Sequence, residues 1–214
     1  MRTLVTNEAL ERTLSRDRLA KYLNATAQDL DGALALYETN TRLSEAFYTP
    51  LQSVEVCLRN CIHEQLSRRY GEEWNLSSAT PLGEDSRRMI GDVIDELKKD
   101  RRDVTAGRVV AELKFAFWVG LLGPRYDATL WRSVLYRAFL ADGGKPRRIV
   151  HGRFNAIRRF RNRVAHHEPI FDRPLPQIHS EIIEAIHWMC RETAAWAAEQ
   201  SRFEQVHAGS DRIN

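Results

Sequence analysis

Pro146-Arg147-Arg148-Ile149-Val150-His151-Gly152-Arg153-Phe154-Asn155-Ala156-Ile157-Arg158-Arg159-Phe160-Arg161-Asn162-Arg163-Val164-Ala165 is the stretch that decides the fold class. A proline suits the first turn of a helix, where its missing N–H is no loss. Val150, Phe154, Ile157 and Val164 recur at helical spacing and mark one face for a core. Asn155, Arg158, Asn162 and His166 fall on a second, polar stripe. The segment is therefore a long helix with one buried side.

The same period governs the rest of the chain. Ser15 is placed to cap a short helix through Tyr22, and Thr26 to cap the next, with Leu30, Leu34 and Tyr37 on one face. Pro50 interrupts or opens a helix carrying Leu51, Val54, Leu58, Ile62 and Leu66. A charged amphipathic helix is expected over 84–101, and a helix apolar nearly all round, hence central, over 106–122. Residues 126–139 read as helical until Gly143-Gly144, and 177–200 as a last helix after Pro169, Pro174 and Pro176. Strand-like alternation is nearly absent. The expected fold is an all-α bundle of roughly six to eight helices.

At 214 residues, 43% hydrophobic and 29% charged, the chain has the length and composition of one folded domain, not of a disordered or collagen-like chain. Its longest apolar run, Phe115 to Leu122, is too short to cross a bilayer, so no membrane association is expected. The N-terminus reaches Glu8 before any apolar stretch builds, unlike a secretory leader, and three cysteines make no disulfide framework. A cytoplasmic location is the resulting expectation.

Charge is distributed unevenly. Of 32 basic residues only 5 are lysine. Residues 145–173 hold nine Lys/Arg against Glu168 and Asp172, a net of +7 that leaves −4 for the remainder. Such a stripe is the footprint of a polyanion site, or a solvated helix face. Arg161 follows Ile157 by four residues and so continues the apolar face, where a guanidinium must find a partner or an interface. Arg161 and His166 stand about 140° apart on an ideal helix. They converge only if the helix end unwinds before Pro169, or if two chains bring two copies together.

Arg161-Asn162 followed by His166 matches the signature of the HEPN superfamily: arginine, polar residue, three residues, histidine. The longer run Arg161-Asn162-Arg163-Val164-Ala165-His166-His167-Glu168-Pro169-Ile170-Phe171 resembles its Abi-like branch, the abortive-infection proteins of prokaryotic phage defence. Residues 51–60, 110–118 and Leu130-Trp131 resemble the same family, so that the likeness spans about Ser15 to Val206. It divides the chain into an N-terminal extension over 1–14, one HEPN/Abi-like helical domain over 15–206 and a flexible tail over 207–214.

The resemblance implies a homodimer whose two motif helices face each other across a composite cleft, and a metal-independent, cofactor-free endoribonuclease acting as a toxin. His166 would serve as general base or acid for attack of a ribose 2′-hydroxyl, a role that suits histidine because the unperturbed imidazole pKa lies near neutrality. Arg161 would hold the phosphate and stabilise its developing charge. Asn162 would orient the imidazole or bond the phosphate. The products would carry 2′,3′-cyclic phosphate and 5′-hydroxyl ends, and DNA, lacking the nucleophile, would be spared. Arg158, Arg163 and His167 are candidate RNA contacts, and Glu55 and Glu168 candidate supports for the motif. One regulatory variant of the superfamily carries a modifiable tyrosine two positions after the motif histidine. Glu168 stands there in this chain. A cognate antitoxin, protein or RNA, is a possible partner that the chain itself does not encode.

Other readings stand beside these. The basic helix end can serve the helix dipole alone, and the same cleft can bind RNA or protein without cleaving. A subunit that only binds protein is a third reading. Glu55 can pair with Arg59 one turn on, or with Arg161. Arg59-Asn60 and His63 imitate the motif at the wrong spacing and read as structural. Cys57 and Cys61 lack the further ligands zinc needs and read as small core residues. Trp118, Trp131, Trp188 and Trp196 are core or interface candidates.

Overall fold

The computed structural model describes residues 3–210, and every regular element among them is helical. Eleven α-helices appear, more than the sequence suggests: α1 (Leu4–Leu14), α2 (Arg16–Ala25), α3 (Leu30–Ala46), α4 (Tyr48–Tyr70), α5 (Glu84–Lys99), α6 (Ala106–Glu112), α7 (Phe115–Leu121), α8 (Arg147–Ala165), α9 (Leu175–His187), α10 (Arg191–Gln200) and α11 (Phe203–Ser210).

The surplus comes from breaks inside apolar segments. Leu113 and Lys114 are extended, which parts α6 from α7, and the indole of Trp118 donates to the freed Leu113 carbonyl at 3.2 Å. Cys190 is extended between α9 and α10, its sulfur accepting from the Thr193 amide at the new helix start. Between Pro124 and Gly143 the chain makes short 3-10 and π turns rather than one α-helix. They end where Asp142, Gly143 and Gly144 all take positive φ.

Caps follow local chemistry. Ser15 accepts from the Arg18 amide and starts α2. Asp29, not Thr26, caps α3, accepting from the amides of Asp31 and Gly32, while the Thr26 hydroxyl turns back to the Tyr22 carbonyl. Pro50 sits in the first turn of α4, and Gly71 ends that helix at φ +88°.

Helix α4 is the axis of the molecule, packed by α9, α10, α7 and the turn over 135–139. The main core gathers Val54, Leu58 and Ile62 of α4 with Phe117, Trp118, Phe154 and Ile182. Val150, Phe154 and Ile157 of α8 are buried as their spacing requires, and Val164 is half-buried against the same core. A smaller core joins α2 to α3 through Leu19, Tyr22, Leu23, Ala33 and Leu34, and Phe171 leans on it after the motif helix.

The N-terminal extension is helical and docked, with the Asn7 side chain buried and donating to Asp31. Of the tail, residues 207–210 continue α11, and 211–214 lie outside the described residues. No helix among the described residues is long and apolar enough to cross a membrane. Trp118, Trp131 and Trp188 are core residues, whereas Trp196 is 55% exposed on α10.

Candidate functional site

Helices α3, α4 and α8 enclose an open cleft of about 800 Å³. Its floor and walls include Ser44, Tyr48, Glu55, Arg59, Arg161 and His167. Arg161, carried by the buried face of α8 to the edge of the core, meets Glu55 of α4 with Nε 3.3 Å from Oε2. Arg59 donates to Asn60 at 3.2 Å, so the Glu55 carboxylate is turned across the helices rather than along its own. The guanidinium thus has both things its position demands, a counter-charge and an opening.

The end of α8 sets the other side. The His167 amide bonds the Val164 carbonyl, and the Glu168 amide the Arg163 carbonyl, a Schellman turn that leaves His167 at φ +57°. A left-handed residue is normally glycine at this place, because a β-carbon there costs about 1–2 kcal/mol. This unwinding swings His167, not His166, onto the cleft wall with Arg161. His166 is exposed, its carbonyl accepting from Arg18 Nη2 at 3.4 Å, and neither it nor Asn162 lines the cleft.

The loop after the turn is fixed from a distance. Asn40, buried on α3, accepts from the Ile170 amide at 2.7 Å and the Phe171 amide at 3.1 Å. Lys21 on α2 pairs with Asp172 at 2.8 Å. Sequence reading singled out neither Asn40 nor Lys21, since nothing local marks a residue whose partners lie more than a hundred positions on.

Much of the basic stripe is used internally. Arg147 pairs with Asp127, and Arg153 with Glu184 while lying over the Trp188 ring. Arg158 donates twice to Asn155. Arg163 pairs with Glu168 and donates to the Pro169 carbonyl, which makes both residues parts of the turn. Arg148 and Arg159 are the exposed cations on α8. His63, in the imitation motif, is held structurally by the Trp74 indole, which donates to its Nδ1 at 2.9 Å.

No family model, no curated protein and no solved structure matches the chain.

Proposed function

We propose that this chain is a metal-independent endoribonuclease of the HEPN, Abi-like type, a growth-arresting toxin of phage defence that works in the cytoplasm as a homodimer. The observation that carries the reading is Arg161. A guanidinium at the edge of a helical core, balanced by one carboxylate and open to a cleft, can exchange that carboxylate for a phosphate. The spread of Arg161 and His166 within one chain favours a dimer, in which the exposed His166 of one copy completes the cleft of the other. Exposed Tyr48 and Val56 beside the cleft provide apolar surface for such a contact. In that arrangement His166 takes the 2′-hydroxyl proton, Asn162 steadies the imidazole, and Arg161 bears the charge developing on the phosphate oxygens. An antitoxin would act by covering this cleft.

A second reading has its own support. His166 shares no cleft with Arg161 in the single chain, which suits a module that binds RNA or a partner protein without cutting.

The test is incubation of the purified wild type, Arg161→Ala and His166→Ala with total RNA in EDTA, followed by end-group analysis. Cleavage by wild type alone, leaving cyclic phosphate ends, is the expected result. Binding that survives His166→Ala, with no cleavage by any form, selects the second reading. Equal cleavage by all three overturns the first.

A further inference from the structure

All three cysteines of the chain border one second cleft, of about 380 Å³, between α4 and α10. Cys57, Asn60 and Cys61 come from α4, Thr193 and Trp196 from α10, and Cys190 from the extended residue just before α10. Cys57 is buried and Cys61 is half-buried. They lie one helical turn apart with their sulfurs 4.0 Å from each other, in hydrogen-bond contact. The two thiols are not equivalent. The hydrogen bond between the two thiols holds Cys61 below the ordinary thiol value. That same bond, with burial second, pushes Cys57 up. Cys190 is occupied otherwise: its sulfur caps α10 at the Thr193 amide and donates to the Glu192 carboxylate.

Zinc is a poor match for this cluster, since it needs about four ligands. No group of three or more His, Cys, Asp or Glu side chains among the described residues is arranged to hold a metal ion. Two sulfurs in contact on one cleft, one buried and one half-exposed, suit a different chemistry.

We propose that Cys61 and Cys57 form an oxidisable dithiol, in which Cys61 attacks a hydroperoxide and Cys57 closes the disulfide. In the first step the Cys61 thiolate attacks a peroxide oxygen. The S–O bond forms, the O–O bond breaks, and the hydroxide or alkoxide released takes the Cys57 proton. In the second step the Cys57 thiolate attacks the Cys61 sulfenic acid. The S–S bond forms, the S–O bond breaks, and hydroxide leaves to become water on protonation. Two thiols and one hydroperoxide thus give a disulfide, one water and one water or alcohol. One helical turn separates the Cα atoms by about 6 Å, inside the roughly 4.4–6.8 Å that disulfides span. The Cβ atoms, however, start about 5–6 Å apart and must draw in to about 3.5–4.5 Å, so closing the bond distorts this turn of α4. The sulfurs must then close from 4.0 Å to about 2.05 Å. Cys190 is a bystander in this scheme.

Arg59 lies between the two cysteines and is a tryptic site, so the linkage can be read directly. The full-length wild type is treated with equimolar hydrogen peroxide, blocked with N-ethylmaleimide, digested without reduction and weighed. The expected product is the peptide ending at Arg59 joined to the one beginning at Asn60, about 2 Da lighter than their sum. Cys190→Ser should give the same product. In Cys57→Ser, Cys61 should stop at a sulfenic acid trapped by dimedone, and in Cys61→Ser the Cys57 thiol should persist at least roughly tenfold longer. A link through Cys190, or three thiols oxidised at one rate with no link, overturns the proposal. The wild-type measurement depends on no variant folding and on no ribonuclease activity.

Discussion

Arg161 and Glu55 meet across α8 and α4 at 3.3 Å, with the arginine side chain 41% exposed and the glutamate 28%. At that exposure the pair contributes about 1 kcal/mol or less to stability. Its importance is electrostatic. Glu55 orients the guanidinium, yet it also competes with any phosphate that would replace it. Glu55→Gln is expected to leave the urea midpoint nearly unchanged and to tighten RNA binding roughly three- to tenfold at low salt. Fluorescence anisotropy with labelled RNA, across a salt series, checks both the sign and its decay at high salt. Weaker binding would mean that holding Arg161 in place matters more than freeing it.

Asn40 is 4% exposed and accepts two amide protons, from Ile170 and Phe171. Asn40→Ala leaves these two amides without a partner beneath the motif turn. The expected cost is about 2–3 kcal/mol, a lower urea midpoint at unchanged slope. Hydrogen exchange should rise first at Ile170 and Phe171. A loss below about 0.5 kcal/mol would mean that water reaches these amides and replaces the asparagine.

What could be read in the sequence was what periodicity and neighbours determine. The burial of Val150, Phe154 and Ile157, and the cap at Ser15, depend on residues close by in the chain. The breaks at Leu113–Lys114 and at Cys190 carry no proline or glycine. They exist because Trp118 and a cysteine sulfur satisfy the exposed backbone groups. At the site, Arg161's need for a counter-charge was legible. Which carboxylate supplies it depends on how α4 docks on α8. That the turn delivers His167 rather than His166 depends on a left-handed residue that local preference disfavours.

Burial holds His179 and His151 below the ordinary imidazole value of 6.5. On His151 the charges of Arg147 and Arg158 act in the same direction, while Glu204 opposes the shift of His179. The unfolded chain therefore binds more protons than the folded one once pH drops toward 6.5, and stability falls from there to the lowered folded values. Each histidine contributes a slope of at most about 1.4 kcal/mol per pH unit. His179 bonds Ser201 and stacks on Phe203, so His179→Gln keeps a polar partner while removing the titration. Thermal melts between pH 7.5 and 5.5 should show a shallower decline in this variant. The carboxylates of Asp142 and Asp172 are also lowered, but their stabilisation is lost only below their ordinary value of 3.8, outside this window. An identical slope in variant and wild type would remove His179 from the account.

His167 sits at φ +57° in the turn that ends α8, with its side chain on the cleft wall. The two facts pull a substitution in opposite directions. His167→Gly relieves the left-handed strain and should stabilise the protein by roughly 1 kcal/mol. It also removes an imidazole from the cleft beside Arg161, and should weaken RNA binding several-fold. His167→Ala removes the same imidazole without relieving the strain, so it should match the glycine variant in binding and fall below it in melting temperature. Measuring both variants separates the backbone effect from the side-chain effect. If His167→Gly melts lower than wild type, the imidazole's contacts outweigh the strain of the turn. If both variants bind RNA as wild type does, His167 is a turn residue only.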